Sequence, residues 1–511
     1  LLKSIFGGDK KITGVKAGLS SGVTSEMVLE KLKNVVDPDL HRDIVSLGFV
    51  KNLKIESQDS GKLLVAFDVE LTTPACPVKD ELQKQCEREV AAIPGVDQIA
   101  VNMTAKTVGR FASGSTSANP RLSGIQNIVA VASGKGGVGK SSTTIQLAMA
   151  LKETGASVGV LDADVYGPSM VLMTGCDQSP SRRTNEAGEE LVVPVDFDGI
   201  ALISTAMFAS ANQATILRGP MASSIIKQYL TQVDWGELDY LLIDFPPGTG
   251  DIQLTLAQCA EITGGVVVST PQEVALIDAR KAIAMFETLK VPVIGIVENQ
   301  SYFMCDGCDK KHFLYGSSGG RKIARQYGVP LLGQVPFHSK ITELLDQGRA
   351  EDLKKETQVF DSYSEIAGQM ASSLATLHKN SKDTLGHFSY SWEQLPEITR
   401  GGDEKTPRKG GSGETSKKTF LKSIGKKNTW LCLVWSDDRE SFFSPADLRR
   451  ACLCASCIDE NTGAKLLNDS SVDDSIQIVQ VNSVGRYALQ VIFSDGHRTG
   501  IYTFEHLAYR G

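Results

Sequence analysis

No apolar run in this 511-residue chain approaches the ~20 residues that a membrane-spanning helix requires, so insertion into a bilayer is not expected. An excess of positive charge is missing too. Lys and Arg number 53 against 60 Asp and Glu, a formal net charge of −7, which gives no general affinity for nucleic acid or anionic membranes. Residues 1–22 are basic, read as a flexible remnant and hold no recognisable targeting signal; the chain starts at Leu1 rather than methionine, so a missing leader is expected. A disulfide framework is also lacking. The ten cysteines are unevenly placed, and their close spacings, Cys305-x-x-Cys308 and Cys452-x-Cys454-x-x-Cys457, favour metal sites in a reducing compartment.

What is present is an ordinary globular composition, 41% hydrophobic and 22% charged, long enough for roughly three domains of about 150 residues. Residues 24–36 have helical periodicity, 62–71 alternate like a strand, 78–92 read as a second helix and 99–103 as a last strand. They make a small α+β domain at 23–106. Residues 107–126, rich in Ser, Gly, Asn and Pro, read as a linker. From 127 to 378, apolar strand candidates at 158–161, 240–243, 265–268, 293–297 and 331–332 alternate with helical runs such as 274–289. That alternation predicts an α/β fold, a doubly wound and mostly parallel sheet covered by helices on both faces. Residues 379–428 read as a disordered linker, since 400–418 lack any large apolar side chain. Strand-like patterns at 476–481 and 487–493 predict a small, mostly β domain at 429–511.

The chemistry is concentrated in Gly134, Lys135, Gly136, Gly137, Val138, Gly139, Lys140, Ser141 and Ser142. They fit the phosphate-loop pattern G-x-x-x-x-G-K-[ST], and they lie between an apolar strand at 128–132 and a helical run at 143–151. The glycines let backbone N–H groups converge on phosphate oxygens beside a helix N-terminus. Lys140 is expected to reach the β- and γ-phosphates of ATP, and Ser141 to hold Mg²⁺. Three acids follow apolar strands. Asp164 is the candidate to orient the attacking water, Asp162 to support magnesium or the loop, and Asp244 to anchor magnesium; a helix-capping role for the first two remains open. Pro247, Gly248, Gly250 and Asp251 suit a switch that senses the γ-phosphate.

Lys135, just after the first glycine, makes this a deviant phosphate loop that resembles the ParA, MinD and nitrogenase-iron-protein group. The resemblance implies that Lys135 crosses a homodimer interface to the partner's nucleotide, as a catalytic residue, and that Asn299 reads adenine. A solvated loop lysine is the plainer alternative. Together with residues 162–169, 218–221, 244–251 and 298–303, the loop resembles the Mrp/ApbC-like P-loop ATPases over 127–345. That family is implicated in carrying iron–sulfur clusters. Ser142 stands where the family usually has threonine, and Phe245 is a second departure.

One C-x-x-C supplies two thiolates where zinc or a [4Fe–4S] cluster normally takes four ligands. A symmetric dimer supplies four. The family resemblance implies a [4Fe–4S] cluster bridging Cys305 and Cys308 of two chains; a zinc knuckle or an empty thiol pair are the alternatives. Residues 37–40, 44–48 and 72–77 resemble the PaaD/SufT-like domain of iron–sulfur assembly proteins. There Cys76 is a candidate transient cluster ligand or simply a buried cysteine. Residues 448–457 and 494–502 resemble the N-terminal domain of γ-butyrobetaine hydroxylase-like proteins, which implies Zn²⁺ held by Cys452, Cys454, Cys457 and His497. The domain order resembles the high-chlorophyll-fluorescence family of plastid [4Fe–4S] scaffolds. That implies the chloroplast stroma, with cytosol or mitochondrial matrix as alternatives, and photosynthetic acceptors.

The leading expectation is an ATP-hydrolysing iron–sulfur carrier whose partners are a second copy, a cluster donor scaffold and acceptor apoproteins. A ParA/MinD-type positioning ATPase and an ATP-driven electron-transfer reductase are the alternatives.

Overall fold

The strand Ile125–Ala132 organises the centre of the molecule. Val129 and Val131 join one apolar cluster, with Ile145, Leu147, Tyr363 and Met370. Ile128, Ala130 and Ala132 join another, with Leu241, Phe245, Leu276 and Phe286. Successive side chains of a strand point to opposite faces, so a strand apolar on both needs cover on both. In this computed structural model, Lys140–Glu153 and Thr357–Asn380 cover the first face. Gly219–Thr231, Asp251–Ala260 and Glu273–Thr288 cover the second.

The sheet has eight strands in the order Val195–Phe197, Ile200–Ser204, Val158–Asp162, Leu238–Asp244, Ile125–Ala132, Gly264–Ser269, Val293–Glu298 and Leu331–Gln334. All neighbours are parallel except the first pair, an antiparallel hairpin at one edge. The doubly wound expectation is therefore met. The earliest strand lies between strands reached later in the chain, so the loop leaving its C-terminal end opens into a crevice. The structure describes residues 23–38, 42–57, 62–107, 109, 119–185, 188–208, 219–248, 250–305, 307–308, 310–380, 389–398, 421–435, 439–452, 454, 457, 465–484, 488–498 and 500–510. The expected remnant 1–22, Arg218 and the polar stretch 400–418 lie outside them.

The described residues up to Leu71 together with Val78–Ala105 form a separate unit. Its central strand Leu63–Leu71 runs antiparallel to Val50–Ser57 and parallel to Gln98–Ala105, with helices Ser25–Leu32 and Lys79–Ala91. The strand Val50–Ser57 is additional to the expected elements. It is a largely exposed edge with no long apolar run to announce it. Buried Asp68 accepts from Asn52 Nδ2 at 2.6 Å and Asn102 Nδ2 at 2.9 Å, which satisfies a carboxylate that burial alone would penalise. Thr72–Pro77, which carries Cys76, belongs to the larger unit. There the Thr73 and Tyr240 hydroxyls meet at 2.8 Å.

The C-terminal part needs a correction. The expected linker 379–428 contains two strands, Ser389–Ser391 and Leu421–Lys427. Ser389–Ser391 pairs with Ile478–Val484 at the edge of a four-stranded antiparallel sheet that continues through Ala488–Phe493 and Gly500–Thr503. Leu421–Lys427 pairs with Trp430–Trp435, and that strand with Glu440–Phe443. The reason is local. Leu395, Leu421 and Ile424 are each 2% exposed and share a core with Leu433, Trp435 and Leu489, so the ends of the polar stretch carry their own apolar anchors. Likewise the expected linker 107–126 ends early: Pro120–Leu122 is a helical turn capped by Asn119, and the first sheet strand begins at Ile125.

Candidate nucleotide and metal sites

The phosphate loop sits between Ile125–Ala132 and Lys140–Glu153. Gly137 and Gly139 have φ of +80° and +82°, a region that L side chains rarely adopt. A Cβ at Gly139 would fall 2.1 Å from Asn299 Nδ2, so this glycine is required twice over. Ser133 Oγ donates to Lys135 O at 2.9 Å, and Thr143 Oγ1 to Gly139 O at 2.8 Å. These bonds fix the loop's two ends.

Behind the loop is a buried polar cluster. Lys140 Nζ lies 2.7 Å from Asp244 Oδ1 and 4.0 Å from Asp164 Oδ2. Ser141 Oγ donates to Asp244 Oδ2 at 2.5 Å, and Thr144 Oγ1 donates to Asp244 Oδ1 at 3.1 Å. Asp162 accepts from Asp164 N at 3.2 Å, Met170 N at 3.3 Å and Ser204 Oγ at 2.8 Å. It is fully buried and spent on shaping the segment after its strand. Burial first, then the Asp244 charge, raises the Asp162 carboxyl above the ordinary carboxylate range, against the pull of Ser204 and Lys140. Burial also raises Asp164, with Lys140 opposing. Asp164 is less engaged: one oxygen accepts from Gly167 N at 3.2 Å.

Of the switch residues, Pro247, Gly250 and Asp251 line a cleft of about 160 Å³ with Tyr166, Pro246 and Gln253. Gln253 holds this turn. Its Nε2 donates to Pro246 O at 3.0 Å and Gly248 O at 3.1 Å, while its Oε1 accepts from Gly250 N at 2.8 Å. Pro247, Gly250 and Asp251 are exposed at the loop and helix start. Among the described residues no carboxylate pairs with Lys135, which is half-buried at the loop's edge. Asn299 Nδ2 donates to Val138 O at 2.8 Å, and its Oδ1 accepts from Gln300 N at 3.0 Å. One amide hydrogen and one lone pair remain for a base.

Four residues after Asn299 comes a short hairpin, Phe303–Met304 paired with Lys311–His312. Cys305 and Cys308 sit at its tip, half-buried and exposed, and His312 joins them: the three donor atoms lie within 4.8 Å of one another. At the other end of the chain, His497 Nε2 lies 3.2, 3.6 and 3.9 Å from the sulfurs of Cys452, Cys454 and Cys457. Tetrahedral zinc separates a thiolate and an imidazole nitrogen by about 3.6 Å. The C-terminal donors therefore stand at metal-binding spacing. Burial first, then Arg449, holds the His497 imidazole below its ordinary range, which favours the neutral, ligating form. Arg449 Nη1 donates to Cys457 Sγ at 3.3 Å and its Nε to Asp495 at 2.7 Å.

Sequence reasoning had not singled out Thr144, Ser204, Gln253, His312 or Arg449. Thr144 lies one turn beyond Ser141, and Cys308-x-x-x-His312 is a metal-ligand spacing, so both left a signal. Ser204 and Gln253 left none, because only the fold brings them to Asp162 and the switch.

A parallel sheet with a lysine-marked phosphate loop at its crevice defines a P-loop NTPase of the ParA/MinD-like kind. The chain belongs to the NUBPL iron-transfer P-loop NTPase family, which matches residues 124–371. Residues 25–102 match the family of iron-sulfur cluster assembly proteins, and 423–508 the γ-butyrobetaine hydroxylase-like N-terminal family. The Fe-S cluster assembly factor HCF101, chloroplastic, of Arabidopsis thaliana is 38% identical over 94% of this chain and 82% of its own length. The iron-sulfur cluster carrier protein of a Synechocystis strain is 42% identical over 64% of this chain and 90% of its own. A nucleotide-binding protein from Archaeoglobus fulgidus, solved with ADP, is 39% identical over 45% of this chain and 90% of its own, with a TM-score of 0.40.

Proposed function

We infer that this chain is an iron–sulfur cluster carrier of the P-loop NTPase type. The observation that carries the reading is the path from Val138 O through Asn299 to Cys305: the residue bonded to the phosphate loop lies six residues before the first thiol of the hairpin. A change at the nucleotide is thereby felt at the cargo. A positioning ATPase of the MinD kind shares the fold but leaves the thiol hairpin without a use.

Lys140 binds the β- and γ-phosphates of ATP. Ser141 and Asp244, whose oxygens converge at 2.5 Å, form a hard oxygen pair suited to Mg²⁺, which neutralises phosphate charge when bound. Asp164 orients the attacking water, and Asp162 holds the loop on which Asp164 sits. Gly248 and its neighbours, tied by Gln253, respond to the γ-phosphate, and Lys135 reaches the partner chain's nucleotide. Two chains supply four thiolates from Cys305 and Cys308 to one [4Fe–4S] cluster, the cargo. Cys452, Cys454, Cys457 and His497 hold a structural Zn²⁺. Cys76 serves as a transient cluster ligand on the way to acceptor apoproteins, in the plastid named for the plant relatives.

Anaerobic reconstitution tests this. The full chain takes up about one [4Fe–4S] per dimer, and Cys305→Ser or Cys308→Ser abolishes it. Both variants retaining full iron and the visible charge-transfer absorption would sink the reading.

A further inference from the structure

We propose that Cys305, Cys308 and His312 form a three-ligand transition-metal site within a single chain. The hairpin register carries the argument. Phe303 faces His312 and Met304 faces Lys311, so His312 lies on the strand returning from the thiol tip. Cys305 N donates to Lys310 O at 3.1 Å and Cys308 N to Cys305 O at 3.3 Å, which ties the thiol tip to that strand. The base of the hairpin is braced: Phe337 N donates to Tyr302 O at 2.7 Å, and Lys311 Nζ stands 4.2 Å over the Tyr302 ring.

The three donor atoms lie within 4.8 Å of one another, and tetrahedral coordination needs about 3.6–3.8 Å. Cys308 and His312 are exposed, so rotation of their side chains closes that gap without moving the fold. Two thiolates and an imidazole suit zinc, cobalt(II) or iron(II) over hard ions such as magnesium. Three protein ligands leave a fourth position open, the arrangement of sites that exchange a ligand. Each chain thus keeps a hold on iron without a second copy. The proposal rests on the carrier reading for its cargo, but its test uses cobalt alone.

Cobalt(II) is titrated anaerobically into the full chain at a concentration where sedimentation shows monomer. Two equivalents bind, one at the C-terminal cysteines and one at the hairpin, and Cys305→Ser binds one. His312→Ala weakens the second equivalent by about 10-fold or more and shifts its d–d bands. His312→Cys restores affinity and adds thiolate charge-transfer intensity. Unchanged affinity and bands in His312→Ala, or a second equivalent found only in a dimer fraction, overturns the proposal. If Cys305→Ser and Cys308→Ser lose that equivalent while His312→Ala keeps it unchanged, the three-ligand proposal is overturned and the carrier reading stands. If the cysteine variants keep it too, the carrier reading falls with it.

Discussion

The two thiol clusters of this chain are built from the same donor types and could hardly differ more in setting. Cys452 and Cys457 are each 1% exposed inside the C-terminal core, with Arg449 donating to the Cys457 sulfur and Tyr502 beside Cys452. Cys308, at the tip of the hairpin, and His312, on its returning strand, are open to solvent. A closed set of four donors, already at metal-binding spacing, suits a site that stabilises a fold. An open set of three on a hairpin, tied by sequence to the phosphate loop, suits something that comes and goes. Burial and completeness of the donor set, rather than donor chemistry, distinguish the two clusters.

That comparison predicts opposite responses to losing a ligand. Chelating the C-terminal metal should unfold that domain, because zinc binding in such small domains carries about 10–16 kcal/mol of apparent free energy; near-ultraviolet circular dichroism reads it. A fragment starting at Asn428 should fail to fold even with zinc, whereas one starting just before Ser389 should fold, since Leu395, Leu421 and Ile424 belong to its core. Folding of the shorter fragment would mean those strands are decoration. At the nucleotide site, Lys140→Ala should abolish ATP binding and destabilise by about 3–5 kcal/mol, because it leaves buried Asp244 without its cationic partner. Asp164→Ala should keep binding and slow turnover roughly 10²–10⁴-fold in a phosphate-release assay. By contrast, Cys308→Ser should change urea stability by less than about 0.5 kcal/mol, as an exposed position does.

The smallest effect lies far from both clusters. Lys354 lowers the carboxyls of Glu153 and Asp198, chiefly by hydrogen bonding. A depressed folded-state value adds stability above the unfolded value of about 4, lost as pH falls through the folded one. Both side chains are over a third exposed, so Lys354→Met should cost at most about 0.5 kcal/mol at pH 7 and less at pH 3.5 by denaturation.

Most of the candidate nucleotide site is legible in the sequence because its residues are local: the glycines, Lys140 and Ser141 are contiguous, and Asp162, Asp164 and Asp244 follow apolar strands that periodicity reveals. The expected strands 158–161, 240–243 and 293–297 sit inside observed ones for the same reason. Val195–Phe197 and Ile200–Ser204 escaped, although Asp198-Gly199 between them is a hairpin signal, with φ of +48° and +79°. Ser389–Ser391 escaped because three polar or aromatic residues beside a polar stretch carry no periodicity. Its partner strand lies some ninety residues away, a pairing that only the tertiary fold reveals.

Parallel iron and zinc analysis of one anaerobically reconstituted sample, in the native chain and in Cys305→Ser and Cys452→Ser, tests the division between the two clusters most directly. The account predicts that Cys305→Ser loses iron and keeps one zinc per chain, while Cys452→Ser loses zinc with its C-terminal fold and still takes up iron at the hairpin. Iron that follows Cys452 and is indifferent to Cys305 would contradict it.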